Sequence, residues 1–421
     1  MVQAREVVIT GLGLVTPIGI GKDTFWSALL ENRSGVGPLS RSGSQSLPAP
    51  FGAELRQFEP KQYVRPRKNL KVMCREVQIG FAAAQLAVED AGLAPNVIDP
   101  ERLGVVFGAD QLYSDIPDLE AVYRSCIVDG RFDYQRWGDR AMSEIHPLWM
   151  LKYLPNMPAC HIGIAHDARG PNNSITHAEV SSLLALSEGA AVIQRGHADA
   201  MIVGGTGSRL NLMGMLSRGD RFLSHRDNDP AGASRPFDQS RDGMVNGEGS
   251  AAYVIESRIC AEKRGARVLA RVLGHGNGFA AGSNGSSGPA AAIGRAMRQA
   301  LRSARISPAA VGHVNAAGLS TVEDDIAEAQ AIHDLLGKVP VTAPTSYFGH
   351  LGAGAGAVEM AVSVLGMLQG RIPPTLNYQN PDPRCPVQVI HGRPLQSEQP
   401  VAMLLNHTRT GQAAAAILAG P

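Results

Sequence analysis

The chain has 421 residues, 44% hydrophobic and 18% charged with 47 glycines, a globular composition rich in turns and close packing that excludes intrinsic disorder. Its 39 Lys and Arg against 38 Asp and Glu leave a formal net charge of +1, so no global field draws it to nucleic acid or an anionic membrane. Five scattered cysteines (Cys74, Cys126, Cys160, Cys260, Cys385) without a C-x-x-C argue against a disulfide framework or a zinc site, and point to a reducing, cytoplasmic setting.

In chain order, R-E-V-V-I-T-G-L-G reads as a buried strand ending in glycines, and D-T-F-W-S-A-L-L-E-N as the amphipathic helix after it. The N-terminal residues lack a signal-peptide apolar region, and no apolar run reads as long enough to span a bilayer. The polar, turn-rich stretch from Gln45 to Pro66 reads as loop, the K-V-M-C-R-E-V-Q-I-G-F-A-A-A run as a long helix, and R-L-G-V-V-F-G-A as another buried strand. Residues from about Tyr113 to Pro158 lack a clean period and carry Trp137 and Trp149, the pattern of an insertion of short helices around a pocket. Trp149 and Met150 read as pocket lining or dimer interface.

The stretch S-I-T-H-A-E-V-S-S-L-L-A-L, Ser174 to Leu186, starts as a strand and ends as an apolar helix, with Glu179 at the bend. A helix N-terminus presents free N–H groups and a partial positive charge, and several enzyme folds place a nucleophile there. A carboxylate is a poor nucleophile. The strand A-D-A-M-I-V-G-G-T-G follows, and a second strand–helix series begins near Arg267. In that series H-L-G-A-G-A-G-A-V-E-M-A-V takes the place of the Glu179 helix. Two halves, 1–255 with the insertion near 113–158 and 256–421, imply a duplicated α/β unit with mostly buried sheets.

G-L-G-L-V-T, Gly11 to Thr16, starts like a dinucleotide fingerprint, with Glu31 about where a ribose-binding acid would fall. Thr16 in place of the third glycine, and Pro17 after it, favour a tight turn instead. Gly352, Gly354 and Gly356 lie in a helical apolar pattern, where close packing explains them better than phosphate binding. R-P-F-D-Q-S-R-D-G-M-V-N-G-E-G, Arg235 to Gly249, alternates Arg and Asp among glycines, which suggests a network of charge-assisted hydrogen bonds that fixes an interior loop. With V-V-I-T-G-L-G-L-V-T-P-I-G, G-P-N-N-S-I-T, R-G-H-A-D-A-M-I-V-G-G, N-A-A-G-L-S-T and F-G-H-L-G-A-G-A-G-A-V-E, this run makes the sequence resemble the elongating β-ketoacyl-acyl-carrier-protein synthases of the thiolase-like superfamily over nearly its whole length.

The resemblance implies a five-layer αβαβα subunit, paired as a homodimer or as a heterodimer with a cysteine-bearing ketosynthase. It implies a buried site reached by the phosphopantetheine arm of an acyl carrier protein, with no other cofactor and no metal. In that family a cysteine at the bend is acylated, two histidines assist decarboxylation and stabilise the thioester oxyanion, and a lysine supports the second histidine. Carried onto this chain, the cysteine position falls on Glu179, the first histidine on Ala317 of N-A-A-G-L-S-T, and the lysine on Thr345 of T-S-Y-F-G-H. The second histidine is kept as His350. The family's gate, N-S-F-G-F-G-G, reads N-H-T-R-T-G-Q here, so His407 leads into Thr408, Arg409 and Thr410. Asp325 and Glu328 keep the family spacing after the first histidine's loop.

Condensation needs a thiolate to carry the acyl chain. A carboxylate would form at best a mixed anhydride, which water destroys, and loss of an oxyanion donor typically costs ~10²–10³ in rate. Condensation by this chain alone is therefore not expected. Glu179 is expected to pair with His350 or Arg409, mimicking the charge of a thiolate or a malonyl carboxylate. Three functions remain open: a chain-length-factor-like partner of an intact synthase, a repurposed enzyme, or a non-catalytic binder of acyl carrier protein or lipid. In the second, Glu179 with His350, and His177 or His407, would act on a carrier-bound thioester by hydrolysis, dehydration or decarboxylation. Arg65, Arg67, Lys68, Lys71 and Arg75 form a basic cluster suited to an acidic carrier protein, or equally a solvated face. His161, His166, His177, His225 and His407 are too widely spaced for a metal motif.

Overall fold

Ten successive buried residues make Val7–Thr16 a strand covered on both faces, and it lies at the centre of the sheet. The chain is described from a computed structural model at residues 5–40, 46–281, 288–397 and 399–421; Gln45 of the expected loop lies outside them. In chain order the main elements are β1 (Val7–Thr16), α1 (Arg75–Asp90), β2 (Leu103–Gly108), β3 (Asn172–Ile175), α2 (Ser181–Gln194), β4 (Ala200–Ser208) and β5 (Glu248–Ser257). There follow β6 (Ala270–Phe279), α3 (Gly288–Ala304), β7 (His313–Asn315), α4 (Val322–Leu336), β8 (Pro340–Thr342), α5 (Ala355–Gln369), β9 (Gln388–Val389), β10 (Val401–His407) and β11 (Gln412–Ala419).

The sheet runs β9-β8-β7-β10-β11-β6-β1-β5-β4-β2-β3, with Gly19–Ile20 pairing off β1. Split between β6 and β1, it yields two halves. In the first half the strands counted along the chain lie in the order 1-5-4-2-3 from the centre outward; the second half repeats that order once its two-residue edge strand β9 is set aside, and a buried helix, α2 or α5, follows the third strand of each. The expected duplication is thus written in the topology. Both helices start from a 3-10 turn, Ala178–Val180 before α2 and Gly352–Gly354 before α5.

Three hydrophobic clusters separate the layers. Side chains of α2 and α5 pack between the two halves of the sheet, α1 covers the outer face of the first half, and α3 and α4 cover that of the second. Gly352–Gln369 is in fact apolar and long enough to cross a membrane by length and composition, contrary to the sequence reading, but 89% of it is buried as the central helix.

Some local expectations change. Gly11 and Gly13 make no turn: they lie inside β1, where a Cβ would run into the backbone of α1 at Ala87 and Ala83. Within the expected loop, Phe51–Ala53 pairs antiparallel with Val36–Pro38. The insertion does form short helices, Ile116–Ser125 and Tyr134–Glu144, joined by a small hairpin. Tyr123, Phe132 and Trp137 cluster there with ring centroids 5.0–6.0 Å apart.

Candidate functional site

The bend between β3 and α2 is held by one hydroxyl. Ser181 Oγ accepts from the His177 N–H at 2.8 Å and donates to the Ala178 carbonyl at 2.7 Å. Ala178 takes a left-handed φ of 48°, a conformation that L-residues adopt at some cost and that recurs at functional turns. Glu179 follows and enters a cavity of about 260 Å³ together with Arg209, Arg218, Phe222, Asn246 and the Thr408–Thr410 tip.

Within it Glu179 Oε1 is paired with the Arg209 guanidinium, both side chains largely buried. Arg209 lies just past the end of β4, facing the bend. His350 is the second neighbour, its Nε2 3.5 Å from the same carboxylate oxygen. The His350 N–H donates to the Val245 carbonyl, and its Nδ1 accepts from the Gly352 N–H at 3.2 Å, which places the ring proton on Nε2. Burial, then the charges of Arg209 and Arg218, hold the His350 pKa well below its ordinary value, so the imidazole facing Glu179 is neutral. The ionic partner of Glu179 is therefore Arg209.

Arg409, the other expected partner, points elsewhere. It pairs with Asp324 at the start of α4, and its guanidinium carbon sits 3.7 Å from the centre of the Phe222 ring. It sits at the tip of the β10–β11 hairpin, which Thr408 and Gln412 close by backbone and side-chain hydrogen bonds. Thr408 and Thr410 join through their hydroxyls at 2.8 Å. His177 is exposed and contributes only its backbone to the bend.

Behind the cavity lies a buried polar layer. Glu328 accepts from the N–H groups of Ala317 and Gly318, each at 2.9 Å, and lies 3.7 Å from His407 Nε2. Burial lowers the His407 pKa, yet Glu328, Asp324 and Asp325 together raise it above its ordinary value, so His407 belongs with Glu328 and not with Glu179. Thr345 Oγ1 donates to the Gly318 carbonyl at 2.7 Å and is 3.2 Å from that of Ala317. The two positions onto which the family's first histidine and lysine fall thus form a clamped loop, with only a methyl at Ala317.

The Arg235–Gly249 run is the expected network. Arg235 pairs with Asp238, Arg241 pairs with Asp325 and Asp382, and Asp238 accepts from the Gln379 and Asn380 N–H groups. Of the basic cluster, Arg65, Arg67, Lys68 and Lys71 are exposed. Arg75 is not available for docking: it holds the fully buried Glu248 through two hydrogen bonds of 2.7 and 3.1 Å. Trp149 lines a surface groove beside Lys71 and Lys152, away from the Glu179 cavity, and Met150 is 57% exposed. Among the described residues no three His, Cys, Asp or Glu gather as metal ligands.

Comparison with known proteins places this geometry. The family model for the N-terminal domain of β-ketoacyl synthase matches residues 4–259 and that for its C-terminal domain residues 269–379. A 3-oxoacyl-[acyl-carrier-protein] synthase 2 from Coxiella burnetii is 35% identical, with 92% of each chain covered. Among solved structures, the ishigamide ketosynthase/chain length factor superposes with a TM-score of 0.87 at 26% identity over 100% of both chains. A type II PKS acyl-carrier protein in complex with its ketosynthase bound to the hexaketide gives 0.82 at 27%, again over 100% of both chains. The fold is the thiolase-like ketosynthase fold.

Proposed function

The chain belongs to the β-ketoacyl synthase family, and from that premise we propose that it serves as a chain-length-factor-like partner of a cysteine-bearing ketosynthase rather than condensing alone. The Arg209–Glu179 ion pair at the bend carries this reading. Where the family holds an acylated cysteine, this chain holds a carboxylate tied to a guanidinium, and no group there can carry an acyl chain as a stable thioester. Ala317 offers no side-chain donor to an oxyanion and Thr345 spends its hydroxyl on the loop behind it. Similarity over the full length to the ishigamide ketosynthase/chain length factor agrees with such a role.

In this reading the partner subunit performs condensation and this chain bounds the acyl tunnel. An acyl carrier protein delivers its cargo by the phosphopantetheine arm, and the exposed Arg65, Arg67, Lys68 and Lys71 offer it a basic face. Co-expression with each cysteine-bearing ketosynthase of the same genome tests it. The expected result is a stable one-to-one complex by native mass spectrometry whose condensing activity depends on the partner's cysteine. A homodimer that ignores every such synthase overturns it.

The 3.5 Å approach of neutral His350 to Glu179 favours a second reading, in which the pair acts on a carrier-bound thioester. It requires a turnover, followed by mass spectrometry of acyl-carrier substrates, that Glu179→Gln abolishes.

A further inference from the structure

The cavity in front of Glu179 contains more positive charge than its own carboxylates match. Arg209 has Glu179, and Arg409 has Asp324. Arg218, the last residue of the helix Leu212–Arg218, lines the same cavity, and among the described residues no carboxylate lies within ion-pairing distance of it. Its contacts are one hydrogen bond to the Arg209 carbonyl at 2.9 Å and the Tyr113 ring, 5.7 Å from its guanidinium carbon. Burial and the Arg209 charge both lower its pKa, opposed only by the longer-range pull of Tyr113, Asp110 and Glu76. A partly desolvated guanidinium without a counter-ion is an unfavourable group to keep.

A second group in the cavity is also unused. Asn246 is 5% exposed as a residue and lines the cavity; among the described residues its carboxamide makes no hydrogen bond, and its polar atoms keep some access to solvent. Phe222, Leu223, Met244 and Leu319 make much of the remaining lining apolar, with the Thr408 and Thr410 hydroxyls at the hairpin tip. A cation and an amide donor lining one cavity of about 260 Å³, among apolar side chains, match one class of ligand.

We propose that this cavity binds a short-chain carboxylate, either free or as the far end of a thioester-tethered acyl chain, with Arg218 as counter-ion and Asn246 as hydrogen-bond donor. The inference deepens the reading of the Glu179 cavity as this chain's site. It assigns the ligand end that the cavity selects, whichever subunit performs chemistry.

Titration calorimetry of the full chain at low salt tests it with three probes: glutarate, succinyl-pantetheine and butyryl-pantetheine. The structure requires binding of glutarate, of succinyl-pantetheine, or of both, about tenfold or more tighter than butyryl-pantetheine. Glutarate alone identifies a free carboxylate as the ligand, and succinyl-pantetheine alone a tethered one. Arg218→Gln should erase the preference and Arg218→Lys should keep most of it. Asn246→Asp, which is nearly isosteric, should abolish carboxylate binding by repulsion and serves as the readout if Arg218→Gln fails to fold. Equal affinity for the succinyl and butyryl probes with no heat from glutarate overturns the proposal, as does an Arg218→Gln or Asn246→Asp protein that binds like the wild type. The titration needs no partner subunit, so failed co-purification leaves it readable, and a null titration leaves the pairing role standing.

Discussion

Glu179 and Arg209 are 15% and 11% exposed at their side chains, so their pairing is screened far less than a surface salt bridge. Removing one partner leaves the other charge in a cavity with little water. Glu179→Gln should therefore lower stability by about 1–3 kcal/mol, read as a shift of the urea midpoint. Arg209→Met on top of it should recover part of the loss, because the stranded guanidinium goes with it. Additive losses in the double variant would show that the pair does not act as a unit. A thiol at the same position separates reactivity from catalysis. In Glu179→Cys the Arg209 charge and the start of α2 favour the thiolate, so alkylation by iodoacetamide should be readily detected by mass spectrometry. Condensation should remain absent, because Ala317 supplies no donor for the oxyanion. Condensation by this single variant, without a partner, would show that Glu179 alone silences the site.

At the scale of elements, the site depends on how tightly α5 lies against the strand that leads to the gate. A Cβ at Gly356 would overlap Asn406 Oδ1 on β10, and would also stand 3.0 Å from Leu183 on α2. Gly356→Ala must push α5 off β10 and disturb the Asn406 Nδ2 to Glu359 bond of 2.7 Å, a change expected to cost about 1–3 kcal/mol and to lower Tm. A Tm equal to wild type would mean that the helix can shift freely. The same closeness explains what could be read in the sequence. Apolar residues at helical spacing announced α2 and α5, the Arg and Asp alternation announced the buried network, and the strand-to-helix bend placed Glu179. The partner of Glu179 was not legible. Arg209 lies thirty positions downstream, beyond a strand and outside every motif, and its only signal is an arginine at the end of a buried strand. Arg409 looked nearer through the gate motif, but its hairpin tip reaches α4 first. Gly11 and Gly13 misled because glycine marks close backbone approach inside a strand as readily as a turn.

Over the whole molecule, layering between two halves of a sheet buries titratable groups that a smaller domain would leave in water, and this sets the pH dependence of folding. Burial raises the carboxyl of Glu359 on α5 from 4.5 to about 8, with Glu328 adding to the shift and Asn406 opposing it. Burial likewise raises Asp325 to about 7 despite Arg241, and Glu76 to about 7. Each of these keeps its proton in the folded chain above the pH at which an unfolded carboxyl loses it. At these three carboxyls, between roughly pH 4.5 and 8, the folded state binds more protons than the unfolded one, and their contribution to stability falls as pH rises. His407 acts with the same sign, since its raised pKa contributes stability that is lost as pH rises past the ordinary histidine range. The histidines His161, His166, His275, His313 and His350, whose pKa values burial lowers, oppose this below the ordinary histidine value, and the depressed carboxylates Asp199, Asp238 and Asp382 oppose it only at more acidic pH, below the ordinary carboxylate range. Urea midpoints should therefore decline from about pH 6.5 to 8, where the raised carboxyls act without that opposition. Glu359→Gln keeps the shape and the bond to Asn406 but cannot ionise, so its decline should be shallower by an amount on the order of a few kcal/mol. A wild-type stability that rises across this interval, or a variant with an unchanged slope, would place the burden on groups other than the central helix.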